Sequence, residues 1–272
     1  AHTNSCKENY SKHFRSSFPI YKHVTNLLSV NISNIENLLS AELKKNKLYE
    51  TCWKHAINEL KEIRSEVNIK HGLPDVCQLA IVAYTLDLEV GNTKLFSDFN
   101  AKCRGLMKDG TMSESAWNSF PYKSLYALLA RSIHGISNVP DVKTTVYYRW
   151  MPDRLTNLKK GDYVFSKQFL SCTVDQKVAT LNLVSGRLLY QDTNKQHLGT
   201  LITIKGSPLA ACGIVMLSAF PMEEEILVFP WSIFKVEEVI LGRNIDSVVF
   251  QSVGSFVKDL PYSGNYVKNG VE

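Results

Sequence analysis

The feature that most constrains this fold is a change of hydrophobic pattern near residue 140. Before this point, apolar residues recur every three or four positions, which is typical of amphipathic helices. After it, the apolar segments are short and rich in β-branched and aromatic residues, which is typical of strands. Helices and strands segregated in this way predict an α+β fold. We expect a helical N-terminal half packed on a C-terminal, mainly antiparallel β-sandwich core.

Five segments of the first half have a helical period. In the first of them, Ile35 and Leu39 lie on one apolar stripe. Ser33 precedes this stripe with Glu36 three residues later, which matches a capping box. The predicted helices are Ser33–Lys47, Tyr49–Val67, Val76–Leu86, Leu95–Met107 and Tyr122–Ile136.

The second half reads as a series of strands separated by Gly, Pro, Asn and Asp. The predicted strands are Thr144–Trp150, Tyr163–Phe165, Phe169–Val174, Arg187–Gln191, Thr200–Lys205, Gly213–Leu217, Glu225–Phe229, Phe234–Leu241 and Ser247–Gln251. The sequence has neither a Gly-x-Gly-x-x-Gly nor a P-loop pattern, which argues against a Rossmann-type nucleotide site.

The length of 272 residues fits one large domain. We predict a single domain over residues 1–272. It would comprise an irregular N-terminal arm (1–30), a helical half (33–140) and a β half with the ligand site (142–251).

Charge and cysteine content narrow the function classes. The net charge of +5 is spread along the chain without a dense basic block, so we expect no nucleic-acid partner. No apolar run reaches membrane-spanning length. The six cysteines are compatible with disulfides but include no Cys-x-x-Cys, which argues against a zinc cluster. Glycosylation sequons at Asn9 and Asn31 favour a secreted or cell-surface protein over a cytosolic one with buried thiols.

Polar residues interrupt two of the apolar strands. Arg149 ends one strand among aromatic residues, where it is either a surface side chain or a fixed cation for a phosphate. In another strand, alternation places Phe169, Ser171 and Thr173 on one face and Cys172 on the other. The two hydroxyls are either ordinary sheet residues or groups that hold a carboxylate and a ribose in place.

The third polar element is an acidic stretch, Glu223-Glu224-Glu225, that runs directly into the strand-like Ile226-Leu227-Val228. In an extended chain Glu223 and Glu225 share one side and Glu224 points away. Two like charges this close are costly unless a cation or polar group lies between them. A guanidinium acceptor, or a sugar that develops positive charge, would satisfy both. The alternative is a solvated acidic turn that enters a strand.

In this order, Arg, then Ser-x-Thr, then Glu-x-Glu followed by Ile-Leu, the three elements resemble the R-S-E class of mono-ADP-ribosyltransferases. The closest resemblance is to the eukaryotic arginine-specific ecto-ADP-ribosyltransferase family, over roughly residues 35 to 241. The helical half contains segments similar to landmarks of this family, in the family's order. They are Leu38–Glu42, Trp53–Ala56, Ala83–Thr85, Phe99–Arg104 and Phe120–Leu125.

The resemblance implies an NAD-dependent enzyme that passes ADP-ribose to an arginine of a protein acceptor and releases nicotinamide. NAD would be a co-substrate, and no metal is expected. The resemblance assigns catalytic roles to Glu225, Glu223, Arg149 and Ser171. Glu225 would contact the ribose on the nicotinamide side, Glu223 would orient the guanidinium, and Ser171 would fix Glu225. The expected NAD-binding residues are Arg149, Trp150, Ser171, Thr173 and Glu225.

Three features bear on the alternatives. Trp150 stands where the family often has Gly, which predicts either a more crowded nicotinamide pocket or a position where only the backbone matters. Residues 181–185 lack the aromatic that many members place after the Ser-x-Ser strand. Glu at 223, rather than Gln, favours arginine over asparagine as the acceptor. An NAD glycohydrolase on the same scaffold and a catalytically silent binding module are the alternative functions.

Overall fold

The computed structural model describes residues 29–255, apart from 67–71, 109–110, 113, 137–145, 152–154, 156, 182–197, 207–210 and 231. The predicted N-terminal arm, apart from its last two residues, and the predicted strand Arg187–Gln191 therefore lie outside the described residues. The described chain is a mixed structure of helices and a mostly antiparallel sheet.

The predicted helices are confirmed, with bounds that differ by one or two residues. The helices are α1 (Ile32–Lys45), α2 (Lys47–Glu66), α3 (Asp75–Thr85), α4 (Leu95–Gly105), α5 (Glu114–Ser119) and α6 (Lys123–Ile136). The short α5 was not predicted, and neither were two small hairpins, β1 (Glu89–Val90) with β2 (Thr93–Lys94) and β3 (Met107–Lys108) with β4 (Thr111–Met112).

The cap of the first helix was predicted wrongly. Asn31, not Ser33, is the N-cap of α1, because its Oδ1 accepts a hydrogen bond from the Asn34 backbone N–H at 2.9 Å. Asn and Ser are equally good caps, so the residue that supplies the cap depends on where the chain enters the helix.

Eight strands of the second half form one continuous sheet. They are β5 (Val146–Met151), β6 (Tyr163–Phe165), β7 (Leu170–Thr173), β8 (Gly199–Lys205), β9 (Ala211–Gly213), β10 (Glu225–Val228), β11 (Ser232–Ile240) and β12 (Ile245–Ser255). Their order is β6-β11-β12-β8-β5-β7-β10-β9, and every pairing is antiparallel except that of β12 with β8. The short β7 and β10 therefore lie side by side.

The predicted strand Gly213–Leu217 is wrong over most of its length. The strand β9 ends at Gly213, and Val215–Leu217 forms a turn of 3₁₀-helix. The Leu217 N–H donates to the Ile214 carbonyl at 2.9 Å, so a local hydrogen bond replaces the strand ladder there. This turn brings the chain round to the acidic stretch.

Two buried clusters lie against the sheet. In one, side chains of the helices pack on the sheet, and the Tyr126 ring lies 5.3 Å from that of Phe169 and 5.8 Å from that of Phe229. The other contains Cys172 and Ile226 together with side chains of β8, β11 and β12. Phe169 and Cys172 belong to different clusters, which confirms the predicted alternation along β7.

The helical half contains a buried carboxylate that caps a helix from a distance in sequence. Glu42 of α1 accepts the backbone N–H groups of Lys123 and Ser124 at 2.9 and 3.0 Å, and the Ser124 hydroxyl at 2.5 Å. Because the first N–H groups of α6 have no partner within that helix, Glu42 satisfies donors that would otherwise be orphaned.

The cysteines do not form the expected disulfides among the described residues. Cys52, Cys77, Cys103, Cys172 and Cys212 are all buried with free thiols. Burial raises the pKa of the Cys77 thiol to about 11 and that of Cys172 to about 12. Cys6 lies outside the described residues. The five described cysteines therefore contribute to the core as small apolar side chains.

Candidate functional site

A cavity of about 320 Å³ lies between the C-terminal end of α3 and the neighbouring strands β7 and β10. This volume is within the range of small-molecule sites. Its lining consists of Tyr84, Thr85, Asp87, Phe96, Ser171, Phe220, Glu223 and Glu225. Three of the predicted site residues, Ser171, Glu223 and Glu225, are thus brought together.

Glu225 is the first residue of β10, and only 6% of it is exposed. Burial raises the pKa of its carboxyl group, and the nearby Glu223 raises it further. Hydrogen bonds from Ser171 and Ser218, with the charge of Arg149, act in the opposite direction. The carboxylate is therefore held by two hydroxyls in a site where its charge is only partly stabilised.

The acidic stretch is not extended, as the sequence reasoning assumed. Pro221–Glu223 forms a 3₁₀ turn, in which the Glu223 N–H donates to the Phe220 carbonyl at 3.0 Å. Glu224 then adopts a left-handed conformation with φ of +45°, which is uncommon for a side chain other than Gly, Asn or Asp. Glu223 and Glu225 still face one cavity, with the left-handed Glu224 between them.

Glu223 lies in a more open position than Glu225. It is half-buried, and burial raises the pKa of its carboxyl group, with a further contribution from the charge of Asp87. The two catalytic candidates thus differ in solvent access, with Glu225 at the buried end of the cavity and Glu223 nearer its mouth.

A hydrogen-bonded chain links α3 to Glu225. The Thr85 Oγ1, at the end of α3, accepts from the Ala219 N–H at 3.1 Å. The next residue back, Ser218, accepts the Phe220 N–H at 3.1 Å and donates to Glu225 Oε2 at 3.3 Å. Ser218 and Thr85 are both buried, so this turn has few alternative conformations. Neither residue was predicted as part of the site.

Arg149 contacts the strand that carries Ser171 and is not itself part of the cavity lining. Its Nη1 donates to the carbonyl of Ser171, one of the cavity residues. Its Nε is buried and has no hydrogen-bond partner among the described residues. Its charge lowers the pKa of Glu225, which places the cation near that carboxylate. The guanidinium therefore supports the strand that carries Ser171 and adds positive potential beside Glu225.

Thr173 and Trp150 also lie outside the cavity lining. Thr173 pairs with Glu225 across the β7–β10 ladder, and its Oγ1 accepts the Asp175 N–H at 3.1 Å. The Trp150 Nε1 donates to the Leu198 carbonyl at 3.2 Å, at the start of β8. Both side chains thus make structural contacts, and the indole does not narrow the cavity at Glu225.

Tyr84, Asp87, Phe96 and Phe220 line the cavity although no role was predicted for them. Tyr84 is 3% exposed, and its hydroxyl oxygen accepts from Asn100 Nδ2 at 3.0 Å. Burial raises the pKa of the Tyr84 phenol, so it stays protonated and keeps one O–H to donate. The sequence did carry a signal for Tyr84, because it lies in the family landmark Ala83-Tyr84-Thr85. Asp87 and Phe96 lie in no such landmark.

Within residues 29–255, leaving aside the gaps given above, no group of three or more His, Cys, Asp or Glu side chains is arranged to hold a metal ion. In the same residues, no helix is both long enough and apolar enough to cross a bilayer.

Comparison with known proteins identifies a family that matches most of this chain. Residues 26–255 match the family model of the NAD:arginine ADP-ribosyltransferases, which is most of the chain. An erythroblast NAD(P)⁺–arginine ADP-ribosyltransferase of Gallus gallus is 24% identical over 239 residues, which are 85% of this chain and 71% of the relative. T-cell ecto-ADP-ribosyltransferase 2 of Mus musculus is 26% identical over 197 residues, or 72% and 58% of the two chains.

The fold is also that of a solved relative. The structure is similar to a mutant of the eukaryotic mono-ADP-ribosyltransferase ART2.2 in complex with NAD, with a TM-score of 0.58 and 22% identity. The match covers 80% of this chain and 83% of that one. Against the two curated relatives, this chain spans 71% and 58% of their lengths.

Proposed function

The chain belongs to the NAD:arginine ADP-ribosyltransferase family, and we propose that it transfers ADP-ribose from NAD to arginine side chains of protein acceptors, with release of nicotinamide. One observation carries this proposal: Glu225 and Glu223, on a strand and on the turn before it, face the same cavity. Their carboxylates match the two cationic centres of the reaction, the developing ribose cation and the guanidinium.

Glu225 would act on the ribose. When the bond between the ribose C1′ and the nicotinamide nitrogen breaks, its electron pair leaves with nicotinamide and positive charge develops on the ribose. A carboxylate fixed beside that centre stabilises charge where it appears and needs no reorganisation. Ser171 and Ser218 hold Glu225 in this position through their hydrogen bonds.

Glu223 would act on the acceptor. A carboxylate binds a guanidinium through two parallel hydrogen bonds. As a guanidino nitrogen forms its bond to C1′, that nitrogen loses a proton, which Glu223 accepts. Its raised pKa brings it closer to neutral pH, where a general base works best. The half-buried position of Glu223 near the mouth leaves room for an arginine of another protein.

Three further predicted residues would contribute to NAD binding rather than to the chemical step. Arg149 offers a cation and a buried Nε without a partner, which suits a phosphate or ribose oxygen of NAD. Thr173 lies directly across the ladder from Glu225, and Trp150 follows Arg149 on β5. We assign Arg149 and Thr173 to the NAD site on their position beside Glu225, and Trp150 through its backbone next to Arg149, since its indole bonds the Leu198 carbonyl.

We also propose that the matched stretch is a single catalytic domain whose two halves meet at this cavity. The helical half supplies Tyr84 and Thr85, and the β half supplies Ser171 and Glu225. The second buried cluster combines Ile226 of β10 with side chains of β11 and β12, at the other end of the sheet. A common buried cluster formed by strands that lie far apart in the strand order supports a sheet that folds over itself as a β-sandwich.

We further propose a secreted or cell-surface location. The Mus musculus relative is named an ecto-ADP-ribosyltransferase. Asn31, the acceptor of one sequon, is exposed, and its Oδ1 caps α1 while its Nδ2 makes no described hydrogen bond. A glycan on Nδ2 is therefore compatible with the cap. Asn9 lies outside the described residues.

The proposed function is tested by incubating the protein with labelled NAD and agmatine, a small guanidino acceptor, beside a Glu225→Ala variant. We expect labelled ADP-ribosyl-agmatine from the wild type and none from the variant. Free ADP-ribose as the only product would identify an NAD glycohydrolase instead. Intact NAD with both folded proteins would refute the enzymatic assignment and favour a binding module.

A further inference from the structure

The proposed catalytic cavity is acidic beyond its two catalytic candidates. Asp87 is a third carboxylate in its lining, and no Lys, Arg or His is among the residues that line it. Nicotinamide leaves as a neutral molecule, and Glu225 already faces the ribose in the proposed reaction. A third carboxylate is therefore not needed for bond cleavage, but it suits a cationic acceptor.

Asp87 comes from a different element than the glutamates. It lies between α3 and β1, whereas Glu223 lies on the 3₁₀ turn before β10. The Asp87 carboxylate forms an ion pair with Lys94 of β2, and 48% of the Asp87 side chain is exposed. Asp87 and Glu223 both line the cavity, and the charge of Asp87 contributes to the raised pKa of Glu223, as expected of neighbouring carboxylates.

Aromatic rings add a second, independent match to a guanidinium. Tyr84, Phe96 and Phe220 line the same cavity, and 42% of Phe220 is exposed, which places it at the opening. The planar guanidinium stacks on aromatic faces and is weakly hydrated, unlike the ammonium of lysine. Carboxylates beside ring faces therefore favour arginine over lysine.

We propose that Asp87 is a specificity-determining residue of the acceptor site, and that it binds the guanidinium of the incoming arginine together with Glu223. This inference rests on the proposed transferase function. A guanidinium carries five N–H donors in a planar fork, and a single carboxylate engages two of them. Asp87 engages further donors and so strengthens acceptor binding equally before and during the reaction, while Glu223 takes the proton of the reacting nitrogen.

The experiment measures KM and kcat for agmatine, with labelled NAD, for the wild type and for Asp87→Asn. Because Asp87 is half-exposed, we expect the variant to raise the agmatine KM by about threefold to fivefold. The kcat at saturating agmatine, the KM for NAD and the rate of NAD hydrolysis without acceptor should stay within about twofold. Glu89→Gln is the matched control, since Glu89 is exposed and outside the lining but lies two residues away.

Lys94→Met separates acceptor binding from a structural role of the ion pair. If Asp87 only holds Lys94, the two variants break the same pair, so they should change the agmatine KM in the same direction. The proposal predicts opposite directions, because Lys94→Met frees the Asp87 carboxylate and lowers the agmatine KM. Thermal melting shows that each variant is folded.

Failure of the proposed function and failure of the role of Asp87 give different results. A wild type that makes no ADP-ribosyl-agmatine refutes the proposed function itself. If the wild type makes ADP-ribosyl-agmatine but Asp87→Asn and Glu89→Gln have the same KM for agmatine, only the role of Asp87 is refuted.

Discussion

Two buried carboxylates, Glu42 in the helical half and Glu225 in the β half, show how differently one chain uses the same group. Both are less than a tenth exposed, and burial raises the pKa of both. Glu42 accepts three hydrogen bonds from the first turn of α6, two of them from backbone N–H groups. Glu225 receives only side-chain hydroxyls and has Glu223 beside it.

The difference separates a structural carboxylate from a functional one. Glu42 satisfies donors that belong to the fold, so its removal leaves backbone groups unpaired. Glu225 satisfies no backbone donor that the structure describes, and the like charge of Glu223 opposes its ionisation. Such an incompletely stabilised charge is what a substrate with a developing positive charge can complete. Removal of the Glu42 carboxylate is therefore expected to lower the stability of the fold. Removal of the Glu225 carboxylate is expected to lower the activity.

The largest effect is expected for Glu225→Gln, which keeps the size of the side chain but removes its charge. Transfer of ADP-ribose to agmatine should fall by about 10²–10³-fold, the typical loss for one electrostatic stabiliser. Glu224→Gln is the control, because Glu224 is exposed and outside the cavity lining, and it should keep wild-type activity. Equal losses of activity in the two variants would mean that the total negative charge of the acidic stretch matters, and not the position of Glu225 in the cavity.

The same Glu225→Gln variant should unfold at a higher temperature than the wild type at pH 7. The folded-state pKa of Glu225 lies above its unfolded value, so the folded protein binds the proton more tightly. Stability therefore falls as pH rises from the unfolded value through the folded one. Gln cannot ionise, so the gain should be present at neutral pH, shrink as the pH falls towards the unfolded value of about 4.3, and be absent below it. Melting temperatures measured across this range check the sign, and a loss at pH 7 would contradict it.

Glu42→Ala tests the other member of the comparison. It should lower the free energy of unfolding by about 2–3 kcal/mol, because buried N–H groups at the start of α6 lose their acceptor. Urea denaturation measures this loss, with the exposed Glu36→Gln on the same helix as control. Activity per folded molecule should remain, since Glu42 is not in the cavity lining. A stability equal to that of the control would show that water replaces the carboxylate.

Ser218→Ala sharpens the comparison, because it removes one of the two hydroxyls that hold Glu225. We expect kcat to fall by about tenfold, the lower end of the value of one hydrogen bond to a charged group, because this bond is long at 3.3 Å. The Ser218 bond lowers the Glu225 pKa, so its loss raises that pKa and moves the acidic limb of the pH–rate profile to higher pH. A lower kcat with an unmoved limb would indicate a general structural effect.

The smallest effect on activity is expected for Trp150→Phe. The indole bonds the Leu198 carbonyl and does not line the cavity, so NAD turnover should change by less than about twofold. The lost hydrogen bond should lower stability by about 0.5–1 kcal/mol. Steady-state kinetics and thermal melting measure the two quantities. A several-fold rise in NAD turnover would instead mean that the indole obstructs the site.

The sequence predicted those features that depend on local pattern. The helical period gave the five long helices, although α3 and α6 are buried on nearly all sides, and alternation placed Phe169 and Cys172 correctly on opposite faces. Glu223 and Glu225 do face one cavity, as predicted, but through a 3₁₀ turn and a left-handed Glu224 rather than an extended chain.

Other features depend on contacts between distant segments, which no local pattern encodes. Asp87 and Phe96 flank a small hairpin and join the cavity only because α3 ends beside β7 and β10. The bond from Glu42 to Ser124 spans 82 residues. The cap at Asn31 replaced the predicted one at Ser33 because the two positions offer equivalent side chains, and the path of the chain decides between them.

The division of labour between the two cavity glutamates is tested most directly by Glu223→Gln with labelled NAD, in the presence and absence of agmatine. In the proposed function Glu225 serves the ribose and Glu223 the acceptor, so this variant should lose ADP-ribosyl-agmatine formation while it still releases nicotinamide by hydrolysis. The ratio of transfer to hydrolysis should therefore drop sharply. Equal loss of both products, in a protein with an unchanged melting temperature, would contradict separate roles for Glu223 and Glu225.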